Sequence, residues 1–158
     1  MGSLRLCLQV ELKKDCFNGQ SLVSLHDGAQ VKMKDLKIGQ SVMTIDKKGS
    51  PANTTFLGWI NKNTTMEAEF LEITTEDGHK ITITPNHIIK VNSDMKLASQ
   101  VTVGDKLLSK SGPVAVLTIE RVNSTGVFNP LTSSSTILVG GVLCSCFAAY
   151  PGYNITQL

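Results

Sequence analysis

The sequence predicts an all-β fold, and three observations support this prediction. Short runs of β-branched residues recur along the chain between turn-forming residues, and helical periodicity is nearly absent. A strong hairpin signal and a weak internal repeat are the other two observations. Only residues 33–37 and 96–101 are typical of single helical turns. We expect strands at residues 22–25, 42–45, 55–60, 68–75, 80–84, 87–91, 106–108, 114–122 and 136–147.

The hairpin signal lies at Glu76-Asp77-Gly78-His79, between the runs LEITT and KITIT. Asp-Gly between two alternating runs is among the strongest short hairpin signals, so residues 68–84 are predicted to form a β-hairpin. The repeat relates residues 35–44 to residues 100–109, each a polar turn followed by a glycine and a strand. It predicts two similar β subdomains, although a turn, a glycine and a strand also follow one another in unrelated all-β proteins.

Composition limits the classes of function. The chain has 158 residues, of which 41% are hydrophobic, with a mean hydropathy of +0.06, and this is enough for one domain with one core. Its net charge of +2 comes from 15 basic and 13 acidic residues that are scattered, so we expect no nucleic-acid partner. No apolar run approaches the roughly 20 residues of a membrane span, and no signal peptide is recognisable.

The cysteines and the ends of the chain support further expectations. The four cysteines, at positions 7, 16, 144 and 146, lack the spacing of a zinc site, so we expect neither a metal nor another cofactor.

The opening Met1-Gly2-Ser3 is typical of an expression start. We divide the chain into a leader at residues 1–15, a domain at residues 16–150 and a tail at residues 151–158, and we expect a monomer.

Cys16 is the first candidate for chemistry. It stands between a charged segment that ends at Asp15 and a turn that leads into the first predicted strand. A thiol at the first position of a domain is well placed to attack the carbonyl immediately before it. A buried, inert cysteine is the alternative interpretation.

The segment Thr84-Pro85-Asn86-His87 favours the reactive interpretation. It follows a predicted strand, and Pro85 ends the strand so that Thr84 and His87 turn toward a common point. A threonine hydroxyl can orient a scissile amide, and an imidazole can protonate the departing amine. A purely structural histidine beside a proline turn is the alternative. Cys144 and Cys146 follow a β-branched run near the end of the chain, where core packing would also explain them.

These motifs together resemble the Hint domain of Hedgehog-type autoprocessing proteins, the Hog class, which is related to inteins in fold and in first chemical step. The similarity covers about residues 15–149. It is carried by Cys16-Phe17 with Gly19 and Ser21, Leu36-x-Ile-Gly39-x-x-Val42, Thr84-Pro-Asn-His87, Val103-Gly104-Asp105, Pro130-Leu131-Thr132 and Ser145-Cys146-Phe147-Ala148.

The resemblance implies a Hint fold, a compact disk of two pseudo-symmetric β subdomains, with an active site where they meet. It makes Cys16 the nucleophile of an N-to-S acyl shift that forms a thioester with the Asp15 carbonyl, assisted by Thr84 and His87. Cys146 matches a late cysteine that lines the site. The chain would then be a single-turnover cysteine autoprotease whose substrate is its own N-terminal segment. In the family, a sterol hydroxyl is the acceptor of that segment. The resemblance also implies a location in the secretory pathway.

The sequence departs from the family at three places. Asp15 replaces the usual glycine before the nucleophile, and its carboxylate can itself attack the thioester. Asn61 stands where Hedgehog members carry the aspartate that deprotonates the sterol, and an amide is not a base. Only residues 151–158 follow the Hint segment, whereas a sterol-recognition region is longer. Either the sequence is trimmed to the Hint core, or the acceptor is water, a small thiol or a different lipid.

Two other classes of function remain alternatives. An inactive Hint-like domain for binding or display is favoured by Asp15 and Asn61. A splicing intein shares the first step, but the end of the chain lacks the expected His-Asn followed by a Cys, Ser or Thr nucleophile.

Overall fold

Antiparallel strands account for most of the computed structural model, which describes residues 16–148. This part of the chain contains eleven strands, and two single-turn 3₁₀ helices lie at Met33–Asp35 and Ala98–Gln100. The strands are β1 (Leu22–Ser24), β2 (Gln30–Lys32), β3 (Ser41–Ile45), β4 (Pro51–Thr75), β5 (Lys80–Ile83), β6 (His87–Val91), β7 (Asp94–Leu97), β8 (Lys106–Ser109), β9 (Gly112–Thr132), β10 (Thr136–Val139) and β11 (Val142–Ala148). The prediction of an all-β fold is confirmed.

The strands form one continuous sheet path in the order β2-β1-β10-β11-β6-β8-β9-β4-β3. β5 pairs with β4 and β7 pairs with β6 outside this path, and β11 also pairs with β8. All of these pairings are antiparallel. Within residues 16–148, no helix is both long enough and apolar enough to span a membrane.

β4 and β9 are much longer than the sequence predicted. The predicted strands 55–60 and 68–75 are one strand, β4, and the prediction 114–122 covers less than half of β9. The two strands pair from Phe56 opposite Thr132 to Thr75 opposite Val116, with several register shifts. The polar stretch at residues 61–67, in the middle of β4, has little strand pattern of its own. Its backbone is extended because β9 supplies its hydrogen-bond partners.

The prediction of a single strand at 136–147 was wrong, because Gly140 and Gly141 divide it into the β10–β11 hairpin. Both glycines have positive φ, of 58° and 84°, which a tight two-residue hairpin turn requires. A Cβ on Gly140 would lie 2.1 Å from the Lys80 carbonyl oxygen. β2 and β7 were not predicted, and β7 occupies the start of the predicted helical turn at 96–101.

The predicted hairpin at 68–84 is confirmed by the pairing of β4 with β5, from Leu71 opposite Ile83 to Thr74 opposite Lys80. The turn is closed by the Thr75 N–H, which donates to the His79 carbonyl at 2.9 Å. This hairpin matters for function because it delivers the end of β5, and with it Thr84, to the interior.

The internal repeat corresponds to two copies of one local structure. Each copy is a 3₁₀ turn, a glycine with φ near 90° and a strand, β3 or β8, that pairs with β4 or β9. The Gly39 N–H donates to Phe56 O at 2.9 Å, and the Gly104 N–H donates to Val116 O at 2.9 Å. The return bonds also match, from Phe56 to Gln40 at 2.9 Å and from Val116 to Asp105 at 2.8 Å. The pseudo-symmetry predicted from the sequence is therefore confirmed at the level of hydrogen bonds.

The core of the described residues consists of one large cluster of buried side chains, a small cluster of Cys16, Phe70 and Val127, and a second small cluster of Ile45, Leu138 and Leu143. Its largest fully buried side chains are Phe17, Phe56, Phe70, Met33, Ile73, Ile81, Ile83, Ile88, Ile89, Leu107, Ile137 and Leu138. Trp59 is partly buried and packs edge-on against Phe56 and Phe128. Phe17 belongs to this core although it immediately follows Cys16, so the core itself anchors the candidate nucleophile.

Candidate active site around Cys16

Cys16 is fully buried, and its backbone is held on both sides by Thr84. The Cys16 N–H donates to Thr84 Oγ1 at 2.8 Å, and the Thr84 N–H donates to the Cys16 carbonyl at 3.0 Å. Phe17 then exchanges two backbone hydrogen bonds with Phe128 of β9, at 2.8 and 3.0 Å. These four bonds fix the nitrogen of the Asp15–Cys16 peptide beside the Thr84 hydroxyl.

The turn after β5 carries Thr84 and His87 into the same region. β5 ends at Ile83, β6 begins at His87, and the His87 N–H donates to the Thr84 carbonyl at 3.2 Å across the turn. Pro85 lies within this turn, and its carbonyl accepts the Ser99 N–H at 2.9 Å. β5 therefore ends one residue before the predicted end at residue 84, in front of the turn that contains Pro85.

His87 is fully buried, and its ring orientation is set by two neighbours. Nε2 lies 2.7 Å from the Ser145 carbonyl oxygen, and the ring packs edge-on against Phe17 at a centroid distance of 4.5 Å. Because a carbonyl oxygen only accepts hydrogen bonds, Nε2 carries the hydrogen. Nδ1 is then the ring nitrogen that can accept and return a proton.

Asn61 directs its amide at the candidate nucleophile. Its Nδ2 donates to Cys16 Sγ at 3.5 Å, a distance suited to a bond with sulfur. Asn61 lies on β4 and is partly buried, so the contact is shielded from much of the solvent. An amide can donate to a sulfur that gains negative charge, but it cannot remove a proton from an acceptor hydroxyl.

The residue before Cys146 contributes directly to the site. Its Sγ lies 3.5 Å from Thr132 Oγ1, and the preceding residue, Ser145, supplies the carbonyl that binds His87. Burial raises the pKa of the Cys146 thiol, partly opposed by the hydrogen bond from Thr132. Burial, and secondarily the nearby Cys146, raise the pKa of Cys144 well above its ordinary value. Both thiols are therefore neutral at physiological pH.

The structure thus brings Thr84 and Asn61 each into direct contact with Cys16. His87 is linked to this group by its backbone hydrogen bond to Thr84 and by the contact of its ring with Phe17. Asp15 lies outside the described residues. The sequence did not reveal the Ser145 carbonyl, because any residue provides one and only the pairing of β11 with β6 brings it to His87. Within residues 16–148, no group of three or more His, Cys, Asp or Glu side chains could hold a metal ion.

Comparison with known proteins agrees with this architecture. The family model described as "Hint module" matches residues 9–157. Sonic hedgehog protein of Danio rerio is 32% identical over 158 residues, which cover 90% of this chain and 38% of that protein. Warthog protein 6 of Caenorhabditis elegans is 35% identical over 143 residues, which cover 83% of this chain and 24% of that protein. The chain therefore spans well under half the length of these relatives.

Solved structures show the same fold at low sequence identity. A DnaB intein from Synechocystis sp. PCC 6803 superposes with a TM-score of 0.71 at 18% identity, covering 85% of this chain and 99% of that one. A bacterial intein-like domain from Clostridium thermocellum gives a TM-score of 0.70 at 24% identity, covering 83% of this chain and 98% of that one. With the family match over nearly the whole sequence, these likenesses establish that the chain belongs to the Hint module family.

Proposed function

We propose that this chain cleaves itself between Asp15 and Cys16 through an internal thioester. Membership of the Hint family and the similarity to hedgehog proteins support autoprocessing as the general class of activity. The observation that supports the specific bond is the 2.8 Å hydrogen bond from the Cys16 N–H to Thr84 Oγ1. That nitrogen is the leaving group of the proposed reaction, and Thr84 holds it inside the protein.

The first step transfers the Asp15 acyl group from nitrogen to sulfur. A bond forms between Cys16 Sγ and the Asp15 carbonyl carbon, the bond from that carbon to the Cys16 nitrogen breaks, and the thiol proton ends on the nitrogen. Asn61 Nδ2 donates to the sulfur as negative charge develops on it. The Thr84 hydroxyl keeps the amide nitrogen in place while it becomes an amine.

His87 is the proposed proton carrier for this step. The amine leaves poorly unless it is protonated, and general acid catalysis by a positioned side chain contributes about 10²- to 10⁴-fold. Because the Ser145 carbonyl fixes the hydrogen on Nε2, Nδ1 is the atom that takes the thiol proton and delivers it. Phe17 packs against the ring and limits its rotation.

The second step releases the upstream segment to another nucleophile. We propose that water or a small thiol is the acceptor, since the amide of Asn61 at the thiol offers no base to activate a sterol hydroxyl. A small thiol ionises without a base near neutral pH, and water, although weakly acidic, is the solvent and far more abundant than any sterol. A sterol hydroxyl is the second candidate, favoured by the similarity to hedgehog proteins. The same similarity supports the proposal that the chain enters the secretory pathway. It stays a prediction that the chain is a monomer and uses no cofactor.

Thiol-induced cleavage tests the thioester. Incubation of the purified chain with dithiothreitol or hydroxylamine should release residues 1–15, identified by mass spectrometry, and Cys16→Ala should abolish this release. Cys144→Ala is the matched control, because that thiol is buried among core residues and donates to the Val142 carbonyl. An intact wild-type chain that behaves like Cys16→Ala would show that the chain is instead an inactive Hint-like domain.

Comparison with Asn61→Asp, with and without added sterol, identifies the acceptor. Aspartate supplies a base at this position, and its charge opposes the negative charge that develops on the sulfur. We expect the variant to form the thioester more slowly and to transfer it to the sterol more efficiently. If the wild-type chain already releases a sterol ester at the same rate as the variant, the assignment of water or thiol is wrong.

A further inference from the structure

Asn129 of β9 lies between Cys16 and Asn61 in a row that crosses three neighbouring segments. Phe17 and Phe128 exchange both backbone hydrogen bonds, and so form an antiparallel pair. Cys16 precedes Phe17 and Asn129 follows Phe128, so Cys16 and Asn129 are neighbours in this antiparallel pairing. The pairing of β4 with β9 places Asn61 directly opposite Asn129. Facing residues of antiparallel strands point to the same side of a sheet, so all three side chains share one face.

A contact between the two outer members of the row shows that the side chains of Cys16 and Asn61 lie on the same face. Asn61 Nδ2 reaches Cys16 Sγ at 3.5 Å, so the two side chains meet over the middle strand. Asn129 is therefore beneath the point where the nucleophile and its hydrogen-bond donor meet. It is only 4% exposed.

The side-chain carbonyl of Asn129 has an unused hydrogen-bonding capacity. Its Oδ1 is buried and has no hydrogen-bond partner anywhere in residues 16–148. Buried acceptors are nearly always satisfied, because loss of hydration without a replacement partner is unfavourable, and each exception requires an explanation. A catalytic role is one such explanation for an acceptor beside a nucleophile.

We propose that Asn129 Oδ1 accepts a hydrogen bond from the hydroxyl group, of water or of an alcohol, that resolves the thioester. This inference rests on the proposed function. The oxygen of the hydroxyl forms a bond with the Asp15 carbonyl carbon, the bond from that carbon to Cys16 Sγ breaks, and the hydroxyl proton ends on the sulfur. The amide oxygen does not take the proton; it orients the hydroxyl so that a lone pair faces the carbonyl carbon.

The two asparagines then have complementary roles at the thioester. Asn61 presents an N–H donor to the sulfur that departs as an anion, and Asn129 presents an acceptor to the oxygen that arrives with a hydrogen. A thiolate that attacks from solution carries no hydrogen on its reacting atom, so it gains nothing from an acceptor. The inference therefore predicts that Asn129 matters for hydroxyl nucleophiles and much less for thiolates.

The test compares hydroxyl-driven with thiolate-driven cleavage in four proteins: the wild-type chain, Asn129→Leu, Asn129→Asp and Asn123→Leu. Leucine removes the acceptor with little change in size, aspartate retains an acceptor, and Asn123 is an exposed residue of the same strand that serves as the control. Release of residues 1–15 is followed in buffer, in buffer with methanol, and with dithiothreitol. The mass of the fragment separates attack by water, as the free acid, from attack by methanol, as the ester.

We expect Asn129→Leu to lower the ratio of hydroxyl-driven to thiolate-driven cleavage at least tenfold. Asn129→Asp should keep or raise this ratio, because a carboxylate is an acceptor that can also remove the hydroxyl proton, and Asn123→Leu should stay within threefold of the wild-type ratio. The unfolding midpoint of Asn129→Leu should not fall, because the variant removes an unsatisfied buried group. An unchanged ratio in Asn129→Leu, or an equal loss of both reactions, overturns the inference while leaving the thioester intact. Failure of dithiothreitol to cleave the wild-type chain overturns the proposed function, and this inference with it.

Discussion

Replacement of Thr84 with valine removes the hydroxyl that binds the leaving nitrogen and keeps the shape of the side chain. Thr84 and Cys16 are both fully buried, and the bond between them is 2.8 Å long. A buried donor that loses its partner costs about 1–3 kcal/mol. If this loss applies to the transition state, the acyl shift slows by about 5- to 150-fold, at about 1.4 kcal/mol per tenfold.

The assay is the first-order rate of thiol-induced release of residues 1–15, measured beside the free energy of unfolding in urea. Thr84→Ser retains the hydroxyl and should stay close to the wild-type rate. Thr54→Val is the matched control, because Thr54 is also buried and its hydroxyl binds Ser133 and the Ser134 N–H rather than the nucleophile. We expect both valine variants to be less stable, and only Thr84→Val to be slower.

Two results would refute this reasoning. A Thr84→Val chain that loses stability but keeps the wild-type rate would show that the bond to Cys16 contributes equally to the ground state and the transition state. An equal decrease in rate for Thr54→Val would show that the rate follows global stability rather than the position of the leaving nitrogen.

The other predictions concern the proton carrier, the buried thiols and the glycine turn. His87→Gln should slow thiol-induced cleavage by about 10²- to 10⁴-fold, measured by the same release assay. Because burial raises the pKa of Cys144 well above its ordinary value of 9.0, the unfolded chain loses this proton first as pH rises. The free energy of unfolding should therefore decrease above about pH 9, by up to about 1.4 kcal/mol per pH unit for this thiol, and less steeply in Cys144→Ala. Gly140→Ala should destabilise the chain by at least about 1–3 kcal/mol in urea unfolding, since its Cβ would lie 2.1 Å from Lys80 O.

Each of these predictions has a result that contradicts it. A His87→Gln rate within tenfold of the wild-type rate would remove His87 from proton transfer. Equal alkaline slopes for wild type and Cys144→Ala would show that the thiol ionises equally in both states. For the turn, Gly28→Ala is the control, because Gly28 also has positive φ, of 87°, but nothing lies within 4 Å of its added Cβ. Equal losses for the two alanine variants would show that backbone conformation alone, and not the clash, sets the cost.

Local sequence was sufficient for the features that depend on neighbouring residues. The Asp-Gly turn determines the β4–β5 hairpin, and Pro85 ends β5, because both act through the φ angles and hydrogen bonds of adjacent residues. The glycines at positions 39 and 104 revealed the repeat for the same reason, since each adopts the positive φ that its turn requires. The candidate residues Cys16, Thr84 and His87 were also identified from short motifs.

Local sequence was insufficient where structure depends on distant partners. The middle of β4 is extended because β9 pairs with it, and its own residues carry no strong strand pattern. The run at 136–147 was interpreted as one strand because β-branched residues stand on both sides of Gly140-Gly141, and only the observed pairing of β10 with β11 shows the reversal.

By itself, the sequence determined the all-β class and the pseudo-repeat, because these follow from local conformation. It also identified Cys16 as the candidate nucleophile and Thr84 and His87 as the candidate assisting residues, because these follow from side-chain chemistry. Only the tertiary structure decided which atoms meet. The Ser145 carbonyl that orients His87 and the buried oxygen of Asn129 beside Cys16 come from segments 58 and 113 residues away. Such contacts are set by strand register, and register results from the packing of the whole core rather than from any short motif.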